Sequence, residues 1–263
     1  MSQTTPQSQR IQQRMADPKK VLSIYFTAGY PEKQDTTKVL QQLQDSGVDL
    51  VEIGLPFSDP LADGPTIQDS STVALKNGMT TSLLFEQLKD IRKTIHIPLI
   101  IMGYFNPMLQ YGVDAFLSQC AAIGIDGLIM PDLPLAEYEQ HYKALYEKHG
   151  IKNIFLITPQ TSDERIRAID NASDAFIYLV STASVTGSKS VFGPEQEAYF
   201  ERIAAMKLKN PLVVGFGIHD AHTFEQATKH TAGAIIGSAF IKTLTQEGLS
   251  GIAPFIKNLR PNH

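Results

Sequence analysis

The sequence predicts an α/β fold in which parallel strands form a single (β/α)8 barrel, and three observations lead to this prediction. The chain has 263 residues, the usual size of one such barrel. Eight short apolar runs recur along it, and most are separated by segments with helical periodicity. Most successive runs start roughly 20 to 30 residues apart, which leaves room for one crossover helix. We therefore expect a TIM barrel with extra helices as one domain over residues 1–263, in which residues 1–15 are a polar N-terminal extension.

The eight runs give the predicted strands in chain order. They are VLSIYF from Val21, DLVEIG from Asp49, PLIIMG from Pro98, GLIMPD from Gly127, NIFLIT from Asn153, FIYLV from Phe176, PLVVGF from Pro211 and AIIG from Ala234. Among the helices, TTKVLQQLQDSG follows the first run and AEYEQHYKALYEKHG follows the fourth, with Gly150 as its expected C-cap. Long loops follow the second run (LPFSDPLADGPTIQ) and the sixth (STASVTGSKSVFGPEQ). Because βα loops carry the chemistry in this fold, both loops are predicted to be functional.

Composition excludes several classes of protein. The net charge is −4 without a long run of one sign, so no basic surface for nucleic acid is expected. The polar start MSQTTPQSQR lacks the apolar core of a signal peptide, and the later apolar runs are too short to cross a membrane. We therefore expect a cytoplasmic protein. Cys120 is the only cysteine, so no internal disulfide can form, and a buried position on a helix is expected for it.

Glu52 is the residue least expected in a buried strand. Strands of a parallel barrel are covered on both faces and read as apolar runs, yet DLVEIG carries a carboxylate in its middle. Alternation places Glu52 on the face of Leu50 and Gly54, predicted to be the barrel interior, where Gly54 leaves space beside it. Burial raises the pKa of a carboxyl toward the range useful for acid/base catalysis. A buried salt bridge is the alternative, but no run supplies an interior Arg or Lys.

The loop after the second run holds two further carboxylates, Asp59 and Asp63. Pro56, Pro60 and Pro65 stiffen this loop, and a stiff loop can aim a carboxylate at a site. Either aspartate could equally form an Asx-turn, and the residue types alone do not rank the two.

Tyrosines are predicted at the same end of the strands. Tyr178 shares a face with Phe176 and Val180 and brings a phenol hydroxyl toward the loops. A buried Tyr hydroxyl needs a partner, so Tyr178 contacts substrate or completes a core layer. Tyr25 and Tyr104 have the same two interpretations and are predicted to line the pocket.

The seventh and eighth runs end in GFGIHD and IIGSAF, which indicates an anion site. Backbone at Gly217 and Gly237 can approach a bound group closely, and Ser238 opens a helix directly afterward. In (β/α)8 barrels these loops and a helix N-terminus commonly bind phosphate. Gly187 in the loop after the sixth run is placed to close over the group. The seven histidines show no metal-ligand spacing, so no metal is predicted.

Around VEIGLPFSDPLADGPTIQ the chain resembles the tryptophan synthase alpha subunit family, of which this segment is the most specific signature. Supporting matches are FTAGYP, MGYFNP, MPDLP, IYLVSTASVTG, VGFGI and IIGSAFIK, so the resemblance covers nearly the whole chain after the first fifteen residues. It implies a lyase of tryptophan biosynthesis that cleaves indole-3-glycerol phosphate to indole and glyceraldehyde 3-phosphate. This retro-aldol reaction uses no metal and no organic cofactor in the alpha subunit.

The resemblance also implies roles for individual residues. Asp63 would hydrogen-bond the indole N–H and stabilise the ring protonated at C3, and Glu52 would take the proton of the glycerol hydroxyl. Thr186 would hydrogen-bond Asp63 when its loop closes. The other implied substrate contacts are Tyr178, Tyr25, Met102, Ile129 and Ile157, and the implied phosphate region is Gly187, Phe216, Gly217, Gly237 and Ser238.

The same resemblance implies a partner. Family members assemble with a pyridoxal-phosphate β subunit as an αββα heterotetramer, in which Asp59 and Pro60 would contact the β subunit. Pyridoxal phosphate is expected only in that partner. The loop after the sixth run departs from a common family pattern, with Thr182 where many members have Arg and Ser184 where many have Gly.

Two other functions are compatible with a barrel of this kind. A sugar-phosphate epimerase or isomerase would share the fold and the phosphate region, but the LPFSDPLADGP loop argues against it. A non-catalytic subunit that activates a partner would tolerate the loss of Glu52 or Asp63, and both residues are present.

Overall fold

The strands of the chain form one all-parallel sheet. The computed structural model describes residues 9–181, 194–215 and 217–260. Within these ranges the strands lie in the order β5-β4-β3-β2-β1-β9-β8-β7-β6, and every pairing is parallel. The strands are β1 (Val21–Thr27), β2 (Leu50–Gly54), β3 (Leu99–Met102), β4 (Gly127–Ile129), β5 (Lys152–Asn153), β6 (Leu156–Ile157), β7 (Ile177–Val180), β8 (Leu212–Gly215) and β9 (Gly233–Ile236). The predicted α/β class with parallel strands is confirmed.

The strand count differs from the expected eight because the fifth apolar run is divided. NIFLIT contributes to two strands of two residues each, β5 and β6, which Ile154 and Phe155 separate. The amide of Ile154 donates to the carbonyl of Leu128 on β4 at 2.9 Å, and the carbonyl of Phe155 accepts from the amide of Tyr178 on β7 at 2.9 Å. The two ends of the strand order therefore come from one run of the chain. Its first half is hydrogen-bonded to β4, and its second half is hydrogen-bonded to β7.

Alternation along the strands sorts the apolar side chains into two clusters. On β2, Val51 and Ile53 pack in the larger cluster with side chains of the helices, while Leu50 packs in a smaller cluster among the strands. We call the smaller one the inner cluster. Its members include Phe176, Tyr178 and Val180, which share one face as predicted. Each large apolar side chain buried in either cluster contributes about 1.5–3 kcal/mol to the free energy of folding.

Most helices connect successive strands, while the first helix precedes β1 and the last two helices follow β9. The helices are α1 (Arg10–Ala16), α2 (Thr36–Asp45), α3 (Pro65–Lys76), α4 (Thr81–Leu88), α5 (Phe105–Tyr111), α6 (Val113–Ile123), α7 (Leu135–Glu137), α8 (Lys143–His149), α9 (Asp163–Ala172), α10 (Pro194–Ala205), α11 (Ala221–Thr228), α12 (Ser238–Glu247) and α13 (Ile252–Leu259). A π-helical turn, Tyr138–Tyr142, joins α7 to α8. The helix predicted after the first run is α2, and Gly150 ends α8 with φ of 67°. Cys120 is buried on α6, as expected.

The amino ends of the strands are held by two carboxylates, the buried Asp126 and the half-buried Asp49. Asp126, just before β4, accepts from Arg10 Nε at 2.8 Å and from Arg92 Nη2 at 2.6 Å. Asp49, just before β2, lies 3.0 Å from Arg14 Nε and 2.6 Å from Arg260 Nη2. The segment predicted as a polar extension thus ends in α1, whose two arginines tie it to this end of the sheet.

The side chain of Ile11 on α1 is buried in the inner cluster. Helix α1 therefore contributes to the core at the amino ends of the strands. In barrels this end serves stability, and the carboxyl ends are left for chemistry.

Candidate active site

The carboxyl of Glu52 is completely buried on β2, with an exposed fraction of 0%. In the strand register Glu52 stands opposite Tyr25 of β1 and Ile100 of β3. The hydroxyl of Ser23 donates to its Oε1 atom at 3.3 Å, whereas Oε2 has no hydrogen-bond partner among the described residues. The described ranges also give Glu52 no ion pair, so they provide no support for the buried salt bridge considered as its alternative role.

Burial raises the pKa of Glu52 to about 8, and the hydrogen bond from Ser23 opposes part of this rise. A carboxyl with a pKa close to neutrality can both accept and return a proton near physiological pH. The perturbation follows from removing the charged form from water without giving it a cation. Glu52 therefore has the properties of an acid/base catalyst.

Asp63 is the second buried carboxyl, and Tyr104 holds it in place. The phenol of Tyr104 donates to Asp63 Oδ2 at 3.0 Å and accepts from the amide of Ala62 at 2.9 Å. Burial raises the pKa of Asp63 to about 6, and the hydrogen bond from Tyr104 lowers it in part. Asp59 is exposed in the same loop. The structure thus distinguishes the two aspartates, which the residue types had left equal, because Asp63 is buried and Asp59 is exposed.

Two buried tyrosines, Tyr25 and Tyr178, lie close enough to both carboxyls to feel their charge. Burial raises the pKa of Tyr25 and of Tyr178, and in both cases the negative charges of Asp63 and Glu52 raise it further. Both phenols are therefore within electrostatic range of the two carboxyls, near the carboxyl ends of the strands.

Glycines at two strand positions make room for these phenols. A Cβ atom at Gly54 would lie 2.2 Å from the hydroxyl of Tyr25, and one at Gly215 would lie 2.0 Å from the hydroxyl of Tyr178. The space that Gly54 was expected to leave beside Glu52 is thus occupied by the ring of Tyr25. Both positions need glycine because any larger residue would collide with a buried ring.

The residues predicted to line the indole pocket lie on two different faces of the sheet. Ile129 belongs to the inner cluster, and Met102 packs against it. Ile157 packs instead in the larger cluster between sheet and helices, on the face away from Glu52. Its neighbour Leu156 packs against the inner cluster. Alternation explains the difference, because adjacent residues of a strand point to opposite faces.

The predicted phosphate region lies after β8 and β9. Helix α12 begins at Ser238, and Gly237 at its N-cap has no capping side chain among the described residues, so no side chain there occupies the amides of the first turn. Gly217 is exposed after β8, and His219 Nδ1 lies 3.1 Å from its carbonyl oxygen. Thr186, Gly187 and Phe216, together with Thr182 and Ser184, lie outside the described residues.

The two residues predicted to contact a partner subunit, both on the loop between β2 and α3, differ in solvent exposure. Asp59 is exposed, while Pro60 is buried within the chain. Leu61 has an exposed fraction of 89%. The sequence signal for this residue is a leucine between a proline and an alanine in a polar loop.

No group of three or more His, Cys, Asp or Glu side chains is arranged to hold a metal ion in the part of the chain that the structure describes. None of the helices in these ranges has the length and hydropathy required to cross a bilayer.

Comparison with protein families matches residues 11–257 to the family described as "Tryptophan synthase alpha chain". The chain belongs to the tryptophan synthase alpha chain family. The match includes both buried carboxyls and the loops after β8 and β9.

Similar proteins agree with this assignment. The tryptophan synthase alpha chain of Flavobacterium johnsoniae is 64% identical over 251 residues, which are 95% of this chain and 99% of the relative. That of Christiangramia forsetii is 62% identical over 251 residues, which are 95% of this chain and 98% of the relative. The crystal structure of the tryptophan synthase alpha chain from Legionella pneumophila has a TM-score of 0.86 at 34% identity, with 96% of each chain covered. The crystal structure of tryptophan synthase from M. tuberculosis in its aminoacrylate-bound form has a TM-score of 0.84 at 31% identity, with 95% of this chain and 97% of the other chain covered.

In this member of the tryptophan synthase alpha chain family, the sequence did not lead us to predict the positions of two residues, Ser23 and Leu156. Ser23 reaches Glu52, and Leu156 takes the face that had been assigned to Ile157. Both had a signal in the sequence. Ser23 interrupts the apolar run VLSIYF two residues before Tyr25 and hence on the same face. Leu156 is two residues after the inner residue Ile154.

Proposed function

We propose that the chain is a carbon–carbon lyase that cleaves indole-3-glycerol phosphate to indole and glyceraldehyde 3-phosphate in tryptophan biosynthesis. The observation that carries the proposal is the pair of buried carboxyls with raised pKa values, Glu52 on β2 and Asp63 on the following loop. Membership of the tryptophan synthase alpha chain family supports it.

Asp63 is assigned to charge stabilisation. Protonation of the indole ring at C3 makes the ring nitrogen positively charged, and a carboxylate that accepts the N–H bond favours this state. The hydrogen bond from Tyr104 keeps Oδ2 fixed and holds the pKa of Asp63 below the value that burial alone would give. Asp63 is thus ionised at neutral pH, since its pKa is about 6.

Glu52 is assigned to proton transfer. In its ionised form it accepts the proton of the glycerol hydroxyl next to C3, while the carbon–carbon bond breaks and its electron pair returns to the protonated ring. The products are neutral indole and an aldehyde, and the proton is left on Glu52. The carboxylic acid so formed can return a proton to the C3 atom of the next substrate. Because each step needs a different protonation state, a pKa of about 8 suits this exchange.

The remaining groups are assigned to substrate binding in a closed eight-stranded barrel of one domain, in which β5 and β6 act as a single strand. The phosphate binds the loops after β8 and β9, where the exposed turn at Gly217 and the α12 N-terminus support an anion site. Indole lies against the inner cluster, with Leu156 in place of Ile157. The proposed contacts are Tyr25, Tyr178, Met102, Ile129, Leu156 and Thr186 for the indole glycerol, and Gly187, Phe216, Gly217, Gly237 and Ser238 for the phosphate.

The proposal includes assembly with a β subunit as an αββα heterotetramer. Pyridoxal phosphate is assigned to that partner alone, and this chain is assigned neither a cofactor nor a metal. The exposed side chains of Asp59 and Leu61 on the loop between β2 and α3 support a docking surface there. A leucine 89% exposed beside the site gains most from being covered by a partner.

Indole release from indole-3-glycerol phosphate tests the proposal. Purified chain is assayed alone and with a β subunit, in parallel with Glu52→Gln and with Glu139→Gln, an exposed glutamate that serves as matched control. We expect release by the wild type and by Glu139→Gln, an increase with the β subunit, and none from Glu52→Gln. Absence of release from folded wild-type protein under both conditions would instead support a non-catalytic activating subunit or another substrate.

A further inference from the structure

Ser23 is a buried hydroxyl that the proposed mechanism does not use. It lies on β1 between Val21 and Tyr25, both members of the inner cluster, and its exposed fraction is 0%. Its hydroxyl donates to Glu52 Oε1 at 3.3 Å. In the described ranges this is the only hydrogen bond to the carboxyl, because Oε2 has no partner there.

Among the described residues no cation forms an ion pair with Glu52, and the hydrogen bond from Ser23 is the one contact that lowers its pKa. The neighbouring strand β3 presents the apolar Ile100 opposite Glu52. The titratable groups near Glu52 are Tyr25 on β1 and Tyr178 on β7, and burial together with the charges of Glu52 and Asp63 raises their pKa, so both phenols are uncharged at neutral pH. An uncharged hydroxyl that donates a hydrogen bond to a carboxylate favours its ionisation.

We propose that Ser23 is a positioning residue that sets the orientation and the ionisation of Glu52 for proton transfer. The hydroxyl donates to the carboxylate and, by rotating, accepts from the carboxylic acid. It can therefore stay bonded to Glu52 in both protonation states of the cycle. The 3.3 Å separation shortens when Glu52 is ionised, since hydrogen bonds to charged acceptors are the shorter ones. With Oε1 held by Ser23, Oε2 is left for the substrate hydroxyl.

The inference rests on the proposed lyase function, and two measurements keep the two questions separate. The first is the pH profile of kcat/KM for indole release by wild type, Ser23→Ala and Ser173→Ala. Ser173 is the matched control because it is also a buried serine, but it bonds the carbonyl of Ile169 at 2.7 Å. The second is the pH titration of the Glu52 carboxyl by infrared difference spectroscopy, with Glu52→Gln in each background as the reference, and it requires no turnover.

Loss of the Ser23 hydroxyl should move both the acidic limb of the profile and the infrared titration to higher pH by about one unit. At neutral pH kcat should fall by roughly tenfold with little change in KM, because substrate contacts are retained. Ser173→Ala should leave both curves at the wild-type position.

Superposition of the Ser23→Ala titration on that of the wild type would overturn the inference, even with the lyase function established. A shifted infrared titration in a chain without lyase activity would leave the link between Ser23 and Glu52 standing and reject the proposed reaction. Equal shifts in Ser23→Ala and Ser173→Ala would also overturn the inference, since a general loosening of the core would then explain both.

Discussion

The hydroxyl of Tyr178 and the backbone of Gly215 are in contact across β7 and β8, so closely that a Cβ atom on Gly215 would lie 2.0 Å from the phenol oxygen. Gly215 pairs in the strand register with Val180, two residues after Tyr178 and on the same face. The glycine therefore leaves the room that the phenol occupies, within electrostatic range of Glu52 and Asp63.

Gly215→Ala should lower both stability and activity, because the new methyl group forces the buried ring of Tyr178 to move. Overpacking of this kind typically costs about 1–3 kcal/mol of the free energy of unfolding. Chemical denaturation and indole release measure the two effects. Adding Tyr178→Leu should restore the stability of Gly215→Ala without restoring activity, and a double variant no more stable than Gly215→Ala would refute steric conflict as the cause.

Tyr104→Phe should impair catalysis while sparing the fold. The substitution removes the hydrogen bond to Asp63 Oδ2, so the pKa of Asp63 should rise above its value of about 6 and less of the carboxylate is ionised at neutral pH. We expect kcat/KM to fall by roughly tenfold, the equivalent of one hydrogen bond to a charged group. Tyr111→Phe is the control, because Tyr111 contacts the rings of Phe85 and Phe116 and packs against the larger cluster. Equal activity in the two variants would contradict the role of Tyr104.

Glu52→Gln should make the protein more stable at alkaline pH. The pKa of Glu52 is about 8 in the folded chain, against 4.5 for an ordinary glutamate. The folded state therefore holds a proton that the unfolded state has lost between these values, and the wild type loses stability as pH rises from 4.5 to about 8. Glu52→Gln has no ionisable group at this position, so its stability does not decrease for this reason.

Urea denaturation of both proteins from pH 5 to pH 8.5 measures the difference. The excess in the free energy of unfolding of Glu52→Gln over the wild type should increase with pH and reach a few kcal/mol at pH 8.5. A constant difference over the range would show that Glu52 ionises in the folded chain as easily as in water.

Asp126→Asn should strongly destabilise the protein, because it leaves the guanidinium groups of Arg10 and Arg92 without their shared counterion. Removing one partner of a buried ion pair costs about 3–5 kcal/mol. Asp114→Asn is the matched control, since Asp114 is an exposed aspartate that also binds two basic side chains, Lys148 and His149. Thermal unfolding should show a large decrease in Tm for the first variant and almost none for the second. Comparable decreases would contradict the importance of burial.

Local patterns in the sequence determined the class of fold and the carboxyl most worth examining. The apolar runs recur at the spacing expected for a strand followed by a crossover helix. Strand alternation alone places the side chain of Glu52 on the inner face of the sheet, away from Val51 and Ile53, which pack against the helices. A charged residue inside such a run is visible without coordinates, because burial of an unpaired charge is costly wherever it occurs. The motif around Glu52 and Asp63 also indicated the family that the comparisons then showed.

Only the tertiary structure decided between residues of the same type. Asp59 and Asp63 are equivalent in a list of loop residues, but only Asp63 contacts the phenol of Tyr104, which lies between β3 and α5. Ser23 and Glu52 are 29 positions apart, and their contact depends on the register of β1 against β2. The arginines that bind Asp49 come from the two ends of the described chain. Sequence periodicity reports the face of each element, whereas the partner on that face depends on how elements distant in sequence pack together.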